Sequence, residues 1–85
     1  MLKYKKGVIF TYEVNQKEQL FTVVENTKID DAEYILAVPI EKSTNGEVKT
    51  YPGQVVAFQV YEDEMLSIET DANVISQIVD NVMPS

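Results

Sequence analysis

The sequence predicts an α+β fold: a mostly antiparallel sheet of about five strands covered by one C-terminal helix. Two observations predict it. Short runs rich in Val, Ile, Phe, Tyr and Thr alternate with polar turn signals through most of the 85 residues. Near residue 72 the apolar period then changes from two to about 3.6.

The elements follow in order. Val8 to Val14 alternates, with Val8, Phe10, Tyr12 and Val14 on one face and Ile9, Thr11 and Glu13 on the other. That is a half-buried strand. Asn15-Gln16-Lys17-Glu18 breaks it, and a second strand, Leu20 to Val24, returns as a hairpin. Both faces of this strand are apolar, so its core face is open. Thr27 to Asp31 punctuates next. The third strand is Tyr34 to Ile40, with Tyr34, Leu36, Val38 and Ile40 on one face. Pro39 lacks a backbone donor, which places it at an edge, a strand end or a bulge. Asn45-Gly46 signals a turn, and Glu47 to Gly53 reads as loop or loose strand extension. Val55 to Tyr61 and Met65 to Glu69 are the fourth and fifth strands, joined tightly by Glu62-Asp63-Glu64.

Val74, Ile75, Ile78, Val79, Val82 and Met83 then form one helical stripe. Thr70 or Asp71 caps its start, and Pro84 lies past its stop. About three turns need their stripe buried to persist, and the sheet needs a lid. Residues 1–85 are expected to form one domain, with residues 1–6 as a frayed start.

Composition excludes much chemistry. His, Cys and Trp are absent, and all seven basic residues are lysine. Without His or Cys, a Ser–His or Cys–His nucleophile pair and the usual zinc ligands cannot be built from one chain. No disulfide can reinforce the fold, and the missing Cys fits a reducing cytoplasm. No apolar run approaches the roughly 18 residues of a membrane span. The expectation is therefore a cytoplasmic protein with no cofactor and no membrane partner.

Charge is uneven. Residues 1–28 carry a net +2 and residues 29–85 a net −9, within a total of −7. Tyr61 to Ser85 holds six acids and no base. Such a surface repels nucleic acid and attracts basic proteins. Lys3, Lys5 and Lys6 around Tyr4 make too small a basic patch to reverse that. The candidate partner-binding residues are Glu62, Asp63 and Glu64, then Glu69 and Asp80. Catalytic and metal residues are expected to be none. Glu62-Asp63-Glu64 lacks the alternation and central Gly of a calcium loop, because Met65 and Leu66 follow at once.

Tyr34-Ile35-Leu36-Ala37-Val38-Pro39-Ile40-Glu41 and Met65-Leu66-Ser67-Ile68-Glu69-Thr70-Asp71, followed by the helix, resemble a known family. So does the upstream order of the Val8-Ile9 strand, a polar turn and Leu20-Phe21-Thr22-Val23-Val24. The resemblance is to the YrzB-like small acidic proteins of Gram-positive bacteria, a DUF1292-like domain of unknown function. It runs from about Gly7 to Met83. It implies a cytosolic bacterial domain of α+β fold and carries no site residue across. Where family members often place a long, very acidic loop, this chain has the nearly neutral Lys42 to Lys49. The lysine-rich start departs as well.

The functional expectation is a non-enzymatic binding or accessory protein that contacts a basic protein through its acidic C-terminal half. The alternative is an acidic nucleic-acid mimic that inhibits a nucleic-acid-binding protein. A carboxylate–metal hydrolase is the enzymatic rival. In solution the chain is expected as a monomer or weak homodimer.

Overall fold

The computed structural model describes residues 4–51, 53–63 and 65–82. Lys3, Pro52, Glu64, Met83 and Pro84, which figure in the sequence reading, lie outside the described residues. The strands are β1 (Ile9–Val14), β2 (Lys17–Ile29), β3 (Ala32–Lys42), β4 (Val48–Thr50), β5 (Val56–Val60) and β6 (Leu66–Ile68). One helix follows, α1 (Ala72–Val82). Every pairing is antiparallel, in the order β1-β2-β3-β5-β6, with β4 on the far end of β3. The α+β class holds, with a sixth short strand, β4, in the segment read as loop or loose strand extension.

Two tight turns lengthen the strands beyond the sequence reading. Asn15 and Gln16 take φ of 51° and 66°, and Asp30 and Asp31 take 50° and 70°. Two consecutive left-handed residues form a primed hairpin turn, whose twist matches that of its strands. Asn and Asp tolerate that region through their short polar side chains. Each polar break therefore needs only two residues, and β2 extends over 13.

A bulge splits β2 between two cores. Its register with β3 shifts between Val23 and Glu25. Before the shift, Phe21 and Val23 face one side with Ile35, Ala37 and Phe58. Val24 within the shift and Ile29 beyond it join Tyr34, Leu36 and Ala57 on the other side. A bulge bends its strand and increases the local twist. The sheet curls until Phe58 of β5 meets rings from β1, although β2 and β3 intervene in the hydrogen-bonded order. Its ring centroid lies 5.4 Å from Phe10, 5.0 Å from Tyr12 and 5.4 Å from Phe21.

α1 covers the convex side. Ile78 is fully buried against Tyr34, Leu36 and Ala57, with Val74, Ile75 and Val82 packed around it. Burying that isoleucine contributes roughly 2–3 kcal/mol. Val79 departs from the expected stripe: it lies at the helix flank, 39% exposed. Asp71 is the cap, its Oδ1 accepting from the Asn73 N–H at 2.9 Å.

Of the segment expected to fray, Tyr4 is 7% exposed and belongs to the aromatic core. Lys5 to Val8 forms a turn closed by Val8 N–H to Lys5 C=O at 3.1 Å, with Gly7 at φ 91°. Val23 C=O accepts from Gly7 N–H and Val23 N–H donates to Val8 C=O, both at 2.9 Å. That is a bulge built on a left-handed glycine.

Pro39 sits inside central β3, opposite Phe21 of β2. On the other side of β3, β5 pairs only as far as Ala37, and β4 begins at Ile40. Pro39 C=O accepts from Tyr51 N–H on that side. Its donorless nitrogen therefore faces the gap between two short strands, a local edge within a central strand.

Candidate functional site

The β5–β6 connection carries the densest predicted acid. Tyr61 N–H donates to Met65 C=O at 2.9 Å and closes the turn. Asp63 Oδ1 accepts from Met65 N–H at 3.1 Å, so one of the two acids also shapes the loop. Glu62 and Asp63 are both exposed. Glu64 lies outside the described residues. Beside them Tyr61 is 47% and Met65 62% exposed. These four residues line one shallow, open groove at the end of the β5–β6 hairpin.

The other two candidates lie elsewhere. Glu69 follows β6 at its opposite end, about 13 Å along the strand from Met65 at the usual strand rise. It is half-buried and structurally engaged. Its N–H donates to Ala57 C=O, and its Oε1 accepts from Asp71 N–H at 3.0 Å. Asp80 is exposed in the last turn of α1. The neighbouring Asn81 reaches toward Lys28 C=O at 3.4 Å. The four described candidates do not form one site; among them only Glu62 and Asp63 share a surface.

The structure adds a group that the sequence reading left as core. Burial pushes the Tyr34 hydroxyl above its ordinary pKa, and the charge of Glu69, then Tyr61 and Asp30, pushes it the same way. Two carboxylates and a second phenol, from three parts of the chain, thus act on the Tyr34 hydroxyl. At the β3–β4 end, Tyr51 is also raised, chiefly by its hydrogen bond to Glu41. Lys49 Nζ stands 5.4 Å from the centre of the Tyr51 ring. The signals for Tyr61 and Met65 were visible only as strand-end apolar residues, and their exposure depends on how short β6 is.

Among the described residues, no three carboxylates come together to hold a metal ion. No helix among them is long and apolar enough to cross a membrane. The arrangement places the carboxylates of Glu62 and Asp63 beside the exposed side chains of Tyr61 and Met65.

Comparison with curated proteins and with solved structures returns no match. Comparison with family models returns one described as a protein of unknown function, DUF1292, over residues 15–83. The match begins at the β1–β2 turn and runs through the helix. It takes in the aromatic residues of β2 and β5, both sides of β3, the acidic β5–β6 turn and the Asp71 cap. The chain therefore belongs to the DUF1292 family of proteins of unknown function.

Proposed function

We propose that the protein is a cytoplasmic, non-enzymatic accessory protein that binds a basic protein partner through the β5–β6 tip. The observation that carries this is the groove in which Glu62 and Asp63 flank the exposed Tyr61 and Met65. Tyr and Met are enriched at the centres of protein interfaces, while carboxylates steer a basic partner and raise the on-rate. The net −9 of residues 29–85 extends that field around the tip. Glu69 and Asp80 contribute to the field from a distance rather than by contact.

The test is capture from native cytosol at low and moderate salt, with DNA as competitor in a parallel sample. The expected result is a basic partner retained by the wild type and lost by Glu62→Lys/Asp63→Lys. It should also be weakened by Tyr61→Ala/Met65→Ala. Unchanged capture by both variants sinks the proposal. A partner displaced by DNA would favour the nucleic-acid mimic instead.

A further inference from the structure

Among the described residues, β1 ends the hydrogen-bonded order of the sheet and no strand pairs with its outer edge. The two-residue turn makes Val14 and Lys17 a hydrogen-bonded pair, and antiparallel ladders alternate. The N–H and C=O groups of Ile9, Thr11 and Glu13 therefore point away from β2. β1 has no proline and no lysine, the usual devices that blunt an edge. Ile9 is 48% exposed on its outer face.

The edge is also charged in a self-complementary way. Its first end carries Lys5 and Lys6 with Glu25, which is 3.1 Å from Lys6, a net +1. Its far end carries Glu13 and Glu18, directly opposed across β1 and β2, with Lys17 beside them, a net −1. Like charges directly opposed destabilise a sheet unless a cation offsets them. An antiparallel copy of β1 brings the positive end of each chain to the negative end of the other.

We propose that a second copy of this chain docks on this edge, β1 against β1, about a two-fold axis at Thr11. A two-fold contact requires a self-complementary patch, and β1 is one in both hydrogen bonding and charge. This register sets Phe10 opposite Tyr12 of the second copy. It also brings Lys5 toward the carboxylates of Glu13 and Glu18. The result is a sheet continuous across two molecules.

Sedimentation equilibrium of the full chain over a concentration series tests this. The wild-type mass should climb from 9.7 kDa toward twice that value. Thr11→Pro removes the outward N–H on the axis and should stay at the single-chain mass with an unchanged far-UV spectrum. Glu13→Lys should weaken association about tenfold, and adding Lys5→Glu should restore it. A wild type at single-chain mass throughout overturns the proposal. So does association that Thr11→Pro leaves intact. If Thr11→Pro fails to fold, the charge exchange decides: undiminished association in Glu13→Lys, or no recovery in the double variant, is equally fatal.

Discussion

The side-chain amide of Asn26 donates a 2.8 Å hydrogen bond to the carbonyl of Tyr4, twenty-two positions upstream. The same nitrogen reaches Glu33 Oε2 at 2.8 Å. One amide on β2 thereby holds the incoming chain and the start of β3. Asn26→Ala should lower stability by about 1–2 kcal/mol. Urea unfolding checks the magnitude, and loss of near-UV tyrosine signal before the main transition would show Tyr4 leaving first.

Gly7→Ala tests the left-handed turn that brings Tyr4 under β1. A Cβ at Gly7 meets nothing within 4 Å, so the cost is backbone strain alone. At φ 91° that should be about 1–2 kcal/mol. A D-alanine at the same position, introduced by chemical synthesis, should restore the wild-type urea midpoint. Equal loss from both enantiomers would contradict this account.

Phe58→Ala should unfold the protein at room temperature or nearly so. The ring is fully buried and contacts Phe10, Tyr12 and Phe21. Truncating such a ring costs about 3–5 kcal/mol, comparable with the whole stability of a domain this size. Phe58→Leu should retain the far-UV spectrum with a lowered melting temperature.

Tyr34 sets an alkaline limit on stability. Its folded pKa lies above the ordinary value of about 10, so the folded chain holds the proton more tightly than the unfolded chain. This contribution is full below about pH 10 and is lost as pH rises through the folded value. Tyr34→Phe should therefore resist unfolding better above pH 10 than the wild type does. Near neutrality it should differ little. Melting curves taken between pH 8 and about 11.5 compare the two.

The ends of α1 are unequal. Asp71→Ala removes the cap and should cost about 1 kcal/mol. Asp80 stands at the negative end of the helix dipole, where no basic residue accompanies it. Asp80→Lys should gain roughly 0.3–1 kcal/mol at low salt and less at high salt. Thermal melts in two salt concentrations separate this from a packing effect.

Much of the fold was legible because local pattern and tertiary burial agree. The alternation of Val8, Phe10, Tyr12 and Val14 identified the inner face of β1, where the first three pack against the aromatic core and Val14 at the turn is exposed, and the α1 spacing identified Ile78. What escaped notice depends on relations between strands. The two apolar faces of Leu20 to Val24 are explained by the cores on both sides of the sheet, Phe21 and Val23 joining one and Val24 the other, which one strand alone cannot reveal. The sequence places Pro39 at an edge, a strand end or a bulge. That its edge is a local gap inside central β3 was not legible, because the sequence does not show that β4 and β5 share one side of β3. β4 itself is exposed throughout and has no apolar signature. At the candidate site, Glu62 and Asp63 were visible as a charge cluster. The contribution of Tyr61 and Met65 was not, because their exposure follows from the turn geometry. Tyr34 escaped because its acidic neighbours come from distant positions.

Every residue from Glu41 to Thr50 is exposed, and this arm touches neither core. Its base is fixed by the pairing of Ile40 with Thr50, so events beyond that pair stay local. The chain can lengthen, shorten or recharge the arm without renegotiating the packing around Phe58 or Ile78. Among relatives, length and charge here are free to diverge at little cost in folding. A shared preference in this arm would therefore record what it meets outside the molecule.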